Sequence, residues 1–312
     1  MSDLNFQIDS VLESVACNLC SATDFDVLHP SNYETFSSLE QLTKIYSSSS
    51  EDSLFDQIVR CVSCDLIYLN PRISGEVVKT GYTIAIDTRH HEQDYFREHS
   101  FRRALNGLNA YLKPLLGKLE SPRLVDVGCA GGIFVKVAND FGFDSKGLEL
   151  SQYLANFGTE KYNVQILPMT IEDFASENRD RDITLVSFWD VLEHLPDPSS
   201  TLKTVNSILD ESGLLLLNLP MVDTFPAKLL SFKWPFYLNV HTYYFSIDTI
   251  TRLLEKSGFK IIYHSRYWQT LGLGYIFQRA GIKSSWLQWM FRKVPFKYYM
   301  GQRTILAKKS PA

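Results

Sequence analysis

Two pairs of cysteines near the start of the chain have the spacing of metal ligands. Each pair is a C-x-x-C turn, Cys17 with Cys20 and Cys61 with Cys64. Such a turn supplies two thiolates, and two turns complete a tetrahedral zinc shell with no open position. The sequence therefore predicts a structural zinc site, and the repeated spacing disfavours four unrelated thiols. The fifth cysteine, Cys129, is not expected to be a ligand, because it lies in a glycine-rich turn farther along the chain.

That glycine-rich turn is the second place where residue types indicate chemistry. It follows a predicted buried strand at 124–128 and leads into a predicted helix at 133–141. Glycines let a ligand approach the backbone, and the helix N-terminus presents free N–H groups. A second strand ends in Glu149, 23 residues after Asp126, where an acid suits a ribose diol. The residues expected to line a nucleotide-containing cofactor are Asp126, Gly128, Ala130, Gly132 and Glu149.

Two cofactor classes use this layout. The dinucleotide pattern G-x-G-x-x-G, aligned from Gly128, places Ile133 where a third glycine should press on the sheet, so a dehydrogenase is disfavoured. The pattern D-x-G-x-G-x-G matches at every position except Ala130. On these residues the chain resembles the class I S-adenosylmethionine-dependent methyltransferases, most of all their small-molecule branch, which includes quinone and sugar methyltransferases. The resemblance covers roughly residue 90 to the C-terminus and implies that S-adenosylmethionine is the cofactor.

The segment 188–198 places four titratable groups within eight residues at the end of the fourth predicted strand. It resembles the D-V-x-E-H-x-x-x-P stretch of the family, which implies that Trp189 and Asp190 lie by the cofactor and that His194 faces the acceptor. Histidine is also the side chain best suited to remove a proton near neutral pH. His241 is similar to a histidine that enters the same cleft in the family, so it is the second candidate base. Either histidine could instead have a structural role and hold its loop in place by hydrogen bonds.

Two apolar residues are candidates for the adenine pocket. In the family, the turn after the third strand lies along the adenine, which implies that Ile171 packs on the ring. Leu150, next to the ribose acid, is a reasonable second wall. Both residues would serve equally well in a hydrophobic core.

Strands and helices alternate from Arg123 onward, which predicts an α/β fold with a Rossmann-like seven-stranded sheet and helices on both faces. Residues 1–75 are predicted to form the four-cysteine zinc-binding module, and 76–120 a linker and helical cap broken at Pro114. Residues 121–312 are predicted to form the methyltransferase domain, with an aromatic helical insert at 265–301. The N-terminal segment, with its two C-x-x-C turns followed by a short strand and Asn-Pro-Arg, resembles a zinc-binding module joined to some sugar methyltransferases.

Composition limits the possible binding partners. The 312 residues include 31 Lys and Arg and 35 Asp and Glu, so a nucleic acid is not expected as the main partner.

No apolar run approaches the length of a membrane span, and the first residues lack the pattern of a signal peptide. A cytoplasmic protein is expected. The insert is rich in aromatic residues with interleaved basic ones, which favours a cap over the acceptor pocket and leaves a lipid-linked acceptor as the alternative.

The sequence thus predicts methyl transfer from S-adenosylmethionine to a small molecule. A sugar or nucleotide-sugar is the first acceptor, suggested only by the resemblance of the zinc-binding module. A quinone-like phenol is the rival acceptor. A zinc-containing module that binds a cofactor or partner without turnover is the rival class. The atom methylated and the oligomeric state stay open.

Overall fold

The structure, a computed structural model, describes residues 8–33, 38–40, 43, 54–84, 93–117, 120–178, 182–279, 281–282 and 284–310. The paired cysteines, the glycine-rich turn and both candidate histidines lie within these ranges. Among the described residues, no helix combines the length and the apolar character that crossing a membrane requires.

The N-terminal part of the chain forms short antiparallel strands. They are β1 (Leu12–Glu13), β2 (Phe25–His29), β3 (Ile58–Cys61), β4 (Ile67–Leu69) and β5 (Arg72–Ile73). β1 pairs with β5, while β2, β3 and β4 lie side by side in one sheet. Val59 and Tyr68 of that sheet are fully buried and belong to the same hydrophobic cluster as the core of the main sheet. The N-terminal part therefore packs directly on the rest of the molecule.

Three helices precede the main sheet: α1 (Gly75–Ile84), α2 (Asp94–Gly107) and α3 (Asn109–Leu116). Pro114 was expected to break or kink the helix, and the break is wrong, because Pro114 lies inside α3. The interruption is at Leu108, whose N–H donates to the carbonyls of Ala104 and Leu105. Gly107, a poor helix former, ends α2. Pro114 removes one N–H from a helix that ends two residues later, so its effect is small.

From residue 123 onward strands and helices alternate, as expected. The strands are β6 (Arg123–Val127), β7 (Asp144–Leu148), β8 (Gln165–Leu167), β9 (Ile183–Trp189), β10 (Leu209–Pro220), β11 (Tyr243–Tyr244), β12 (Phe259–Arg266), β13 (Gln269–Gly272), β14 (Pro295–Tyr298) and β15 (Gln302–Lys309). The helices are α4 (Ile133–Asp140), α5 (Gln152–Tyr162), α6 (Ile171–Glu177), α7 (Pro198–Ile208), α8 (Phe225–Leu230), α9 (Ile247–Lys256), α10 (Leu273–Arg279) and α11 (Ser285–Phe291).

The predicted seven-stranded sheet is confirmed, with the order β12-β15-β10-β9-β6-β7-β8. The strands from β10 to β8 are parallel, and β15 runs antiparallel between β10 and β12. The chain moves outward from β6 to β8 and then crosses back to β9 on the other side of β6. This reversal opens a crevice at the carboxyl ends of β6 and β9, where ligands bind in folds of this kind.

Helices cover both faces of the sheet. One face carries Phe174 of α6 and Leu253 of α9 in the larger hydrophobic cluster. The other face carries Phe101 of α2 and Phe134 of α4 in a second cluster. All seven residues of β9 are buried, as a parallel strand covered on both faces requires.

The aromatic insert contains helices α10 and α11 together with the two-stranded sheet of β13 and β14. It packs against α2 through backbone hydrogen bonds. The N–H of Thr270 donates to Ser100 Oγ at 2.9 Å, and the N–H of Gly272 donates to Gln93 Oε1 at 3.0 Å.

Candidate active site

The turn after β6 has backbone angles that demand small residues. The angle φ is +66° at Gly128, +48° at Ala130 and +72° at Gly132. A Cβ on Gly128 would lie 2.7 Å from Val191 Cγ2, and one on Gly132 would lie 2.7 Å from Ile166 Cδ1. Both glycines are therefore required by space as well as by conformation. Ala130 adopts a left-handed conformation that costs an alanine about 1 kcal/mol.

Glu149 follows β7 and holds this turn in place. Its Oε2 accepts a hydrogen bond from the Ala130 N–H at 3.0 Å, and its Oε1 accepts one from the Ser151 N–H at 2.9 Å. Burial raises the pKa of Glu149, while these backbone hydrogen bonds lower it. A carboxylate has about four lone-pair sites, so each oxygen keeps capacity for one further donor. This arrangement fits a pair of neighbouring hydroxyls.

Asp126, in β6, is almost fully buried beneath the turn. It accepts a hydrogen bond from Ser187 Oγ at 2.7 Å. Burial raises the pKa of Asp126 to about 8, against the effects of the Ser187 hydrogen bond and of the Arg97 guanidinium. The carboxyl group is therefore largely neutral at pH 7.

Trp189 ends β9 inside a box of aromatic rings. Its ring centroid lies 4.8 Å from those of Phe101 and Phe134 and 5.6 Å from that of Tyr267. The indole Nε1 is buried and has no hydrogen-bond partner among the described residues. An unpaired buried donor at a strand end in the crevice is available to a ligand.

Asp190 is fixed by two amides from neighbouring strands. Its Oδ1 accepts hydrogen bonds from Asn218 Nδ2 at 2.9 Å and from Gln302 Nε2 at 2.7 Å. Burial raises the pKa of Asp190 to about 6, while the Gln302 hydrogen bond and the Arg97 charge oppose that shift. Its φ of +57° turns the chain sharply out of β9.

The two predicted adenine-pocket residues differ in exposure. Leu150 is half-buried beside Glu149. Ile171 is 2% exposed and belongs to the larger hydrophobic cluster, together with Leu148 and Phe174.

The structure brings the two candidate histidines together. The short helical turn Leu192–His194 follows β9, and the rings of His194 and His241 meet edge to face with centroids 4.6 Å apart. His194 Nδ1 shares a hydrogen bond of 2.8 Å with the hydroxyl of Tyr82. His241 Nδ1 lies 2.9 Å from the Phe236 carbonyl. Because a carbonyl only accepts, neutral His241 carries its proton on Nδ1 and keeps a lone pair on Nε2.

Burial keeps both imidazoles neutral. It lowers the pKa of His194 to about 4, although a hydrogen bond to the Val240 backbone acts in the opposite direction. Burial, and then the nearby His194, lower the pKa of His241. Glu193, next to His194 in the chain, is 1% exposed, and neither carboxyl oxygen has a hydrogen-bond partner among the described residues. Burial raises the pKa of this carboxyl group. Glu193, His194 and His241 offer polar atoms within 4.8 Å of one another.

Two residues near this site were not predicted from the sequence. Tyr82 reaches His194 from α1, in a stretch that carries no motif. Arg97, on α2, lies close enough to lower the pKa values of both Asp126 and Asp190. A lone arginine in a predicted amphipathic helix gives no signal of its own.

The four paired cysteines also converge. Cys17 Sγ lies 3.4 Å from Cys64 Sγ, Cys20 Sγ lies 3.5 Å from Cys61 Sγ, and all four sulfur atoms are within 4.8 Å of one another. A tetrahedral zinc–thiolate centre with bonds of about 2.3 Å separates its sulfurs by about 3.8 Å. The cluster therefore fits a zinc ion. Burial raises the pKa of the Cys17 thiol to about 11, against hydrogen bonds from the backbone.

The cysteine knuckles are anchored on the helices of the main sheet. Arg252 of α9 donates to the Cys64 carbonyl at 2.6 Å, and Lys256 donates to the Leu19 carbonyl at 2.8 Å. Arg72 of the Asn-Pro-Arg stretch is buried and donates to the Pro196 carbonyl at 3.0 Å. That carbonyl lies two residues after His194, so the module touches the loop that carries a candidate base.

Comparison with known proteins agrees with this geometry. Residues 87–264, more than half of the chain, match a family described as a methyltransferase domain. The chain belongs to this family of methyltransferase domains, and its fold is the class I fold of S-adenosylmethionine-dependent methyltransferases.

Curated relatives are similar over a shorter stretch. The ubiquinone biosynthesis O-methyltransferase of Bordetella avium (strain 197N) is 28% identical over 116 residues, which cover 35% of this chain and 48% of the relative. The protein of the same name from Nitrosomonas europaea is 29% identical over 111 residues, covering 33% and 46%. The chain thus spans about half the length of the curated relatives it matches.

Solved structures are similar at low identity. A SAM-dependent methyltransferase from Archaeoglobus fulgidus is 17% identical with a TM-score of 0.48, over 72% of this chain and 100% of that chain. Magnesium protoporphyrin IX methyltransferase from Synechocystis PCC 6803 is 16% identical with a TM-score of 0.47, over 72% and 89%. No residue role follows from either similarity.

Proposed function

We propose that this methyltransferase acts on a small molecule bound beside His194 and His241, with the cofactor held by the turn after β6. The observation that carries the proposal is the contact between the rings of His194 and His241 just beyond the carboxyl end of β9. Glu149 follows β7 at the same edge of the parallel sheet. When bound, S-adenosylmethionine supplies an electrophilic methyl group. The protein's contribution is to position the acceptor and to remove its proton.

The cofactor-binding part of the proposal assigns each polar group a partner. Glu149 keeps one free lone pair on each oxygen and accepts the two ribose hydroxyls. Arg97, whose charge lowers the pKa values of Asp126 and Asp190, suits the carboxylate of the cofactor's methionine part. We assign Trp189 and Asp190 to the cofactor site as well, where the unpaired indole N–H of Trp189 is a further donor. We assign Leu150 and Ile171 to the apolar walls of the adenine pocket.

His194 is the proposed base, and His241 is the second candidate. Both are neutral near pH 7 because they are buried, so both can accept a proton. His194 is positioned by the Tyr82 hydroxyl at Nδ1 and by the Val240 backbone, so it accepts the acceptor's proton only when one of these hydrogen bonds is exchanged. His241 is positioned by the Phe236 carbonyl, which leaves its Nε2 lone pair for the acceptor. Burial raises the pKa of Glu193, so we assign its carboxyl group, which has no partner among the described residues, to a hydrogen bond with the acceptor.

A sugar or nucleotide-sugar is the first acceptor class, supported by the resemblance of the N-terminal module to that of some sugar methyltransferases. A quinone-like phenol is the second, supported by the names of the curated relatives. Incubation with labelled S-adenosylmethionine and a panel of sugars, nucleotide-sugars and phenols separates the two. Failure to methylate any member of a broad panel, with the cofactor bound, would favour a binding module without turnover.

Cofactor binding is tested independently of the acceptor. Glu149→Ala removes two charge-assisted hydrogen bonds to the ribose, so calorimetric titration should show a loss on the order of 2–4 kcal/mol in affinity for S-adenosylmethionine. Glu160→Ala, on the exposed side of α5, is the matched control and should bind as the wild type does. Unchanged affinity in a folded Glu149 variant would refute the assignment.

We further propose that residues 1–75 form a zinc module in which Cys17, Cys20, Cys61 and Cys64 hold one ion. The support is the pair of close sulfur contacts and the tetrahedral spacing of the four thiols. Four thiolates leave no open position, so this ion would stabilise the fold and take no part in the reaction.

A further inference from the structure

The charge of the chain is distributed very unevenly. The 57 residues from Lys256 to the C-terminus contain 11 Lys and Arg and no Asp or Glu. The first 255 residues contain 20 Lys and Arg and 35 Asp and Glu. Six of these basic residues lie in the aromatic insert, residues 265–301, and the rest of the chain has 25 Lys and Arg against 35 Asp and Glu. The net charge of −4 therefore combines an insert of +6 with a body of −10.

Large apolar side chains are exposed on the outer side of the insert. Trp286 is 63% exposed, Trp289 61% and Met290 41%. These three residues have i, i+3, i+4 spacing, so they share one face of α11. Val294 and Phe296, just beyond the helix, are 41% and 44% exposed.

These exposed side chains do not lie on the inner face of the insert, because the side chains of that face already contact one another. A Cβ on Gly274 would lie 2.1 Å from the Gln288 carbonyl oxygen, so α10 and α11 are in close contact. The rings of Phe277 and Phe291 meet between them with centroids 5.5 Å apart.

Basic side chains lie among the exposed apolar ones. Arg292, Lys293 and Lys297 are all exposed. The Arg292 guanidinium lies 5.3 Å from the centroid of the Trp289 ring, and Lys297 Nζ lies 5.0 Å from that of Trp268. We call these exposed residues together the insert surface. They are Trp286, Trp289, Met290, Arg292, Lys293, Val294, Phe296 and Lys297.

We propose that the insert surface binds an anionic phospholipid membrane. Tryptophan favours the interface between water and lipid, and lysine or arginine near anionic head groups adds to the affinity. Met290 and Val294 favour lipid over single-stranded nucleic acid, because bases stack on aromatic rings and gain little from aliphatic side chains. The acidic body would be repelled by the same surface, so the charge distribution orients the protein with the insert toward the membrane. This proposal does not depend on which acceptor is methylated.

The test is co-sedimentation of the full chain with vesicles of phosphatidylcholine alone and with vesicles containing about one third phosphatidylglycerol. We expect binding to the anionic vesicles, a loss of binding as salt is raised, and a blue shift in tryptophan emission. Absence of binding to the anionic vesicles, or equal binding to both kinds, would overturn the proposal. Tighter binding to a single-stranded oligonucleotide than to vesicles would overturn it in favour of nucleic acid.

Variants locate the contact. Arg292→Gln with Lys293→Gln should weaken partition into anionic vesicles roughly 30-fold, since each cation contributes about a factor of five. Trp286→Ser with Trp289→Ser should weaken it at least about 10-fold and remove the blue shift. Lys113→Gln with Lys203→Gln, two exposed lysines outside the insert, is the matched control and should bind as the wild type does. An equal loss in this control pair would show that the insert surface is not the contact. Retained S-adenosylmethionine binding confirms that each variant is folded.

Discussion

Replacing His194 by glutamine should make the stability of the protein less sensitive to acid. Burial lowers the folded-state pKa of His194 to about 4, whereas an unfolded histidine titrates near 6.5. Because the folded pKa is the lower one, the unfolded chain takes up the proton first as the pH falls. Stability is therefore fully present above about pH 6.5 and is lost between pH 6.5 and 4. The loss from this one group is close to zero at pH 7.5 and about 2 kcal/mol at pH 5.

The measurement is the free energy of urea unfolding at pH 7.5 and at pH 5 for the wild type and for His194→Gln. Buried acids such as Asp126, with its raised pKa, act in the opposite direction, so the difference between the two proteins carries the information. The wild type should lose about 2 kcal/mol more than the variant between the two pH values. Tyr82→Phe is the control, because it removes the hydrogen bond and keeps the buried imidazole, so its pH dependence should follow the wild type. Equal losses in the wild type and His194→Gln would refute the buried, neutral state of His194.

Three further predictions concern the turn, the metal and the base. Ala130→Gly relieves the strain of a left-handed residue at φ +48°, although glycine gains more conformational entropy in the unfolded chain. The net effect should raise the free energy of urea unfolding by up to about 1 kcal/mol, and a loss of stability would contradict this. Metal analysis should find about one zinc per chain, retained in Cys129→Ser and lost in Cys20→Ser; a wild type purified without chelator that contains no zinc would contradict the site. With an acceptor in hand, His194→Ala should lower turnover by roughly 10²–10⁴-fold with cofactor affinity nearly intact, and His241→Ala should cost less. The opposite order would assign the base to His241. A loss of turnover in neither variant would leave positioning of the acceptor as the source of catalysis.

The strands of the main sheet could be predicted because burial on both faces leaves continuous apolar runs. The predicted strand at 124–128 differs from β6 (Arg123–Val127) by one residue at each end. In β10, which extends from Leu209 to Pro220, only Leu214–Leu217 is a continuous apolar run. Leu209 is followed by Asp210, Glu211 and Ser212, and the register with β9 shifts between Leu209 and Leu214, so no apolar pattern marks that part of the strand.

The candidate site could be predicted where the chain itself brings residues together. The spacing of the glycines predicted the turn after β6. The two histidines were expected in one cleft because the carboxyl ends of parallel strands meet at one edge of the sheet. Tyr82 and Arg97 were missed for a different reason. Tyr82 contacts a residue 112 positions away, and that contact depends on how α1 packs. Arg97 acts through its charge on carboxyl groups that are distant in sequence.

The N-terminal sheet is completed by a strand from the other end of the chain. β11 pairs antiparallel with β4, with Tyr243 opposite Tyr68 and Tyr244 opposite Ile67. The next residue back, Thr242, donates from Oγ1 to the Glu193 carbonyl at 2.9 Å. Opening the N-terminal sheet therefore removes the edge partner of β11, and it loosens both the segment that carries His241 and, through Thr242, the turn that carries His194. The two parts should unfold in a single cooperative transition, and a fragment that begins after β4 would expose an unpaired sheet edge and lose the alignment of His241 at the same time.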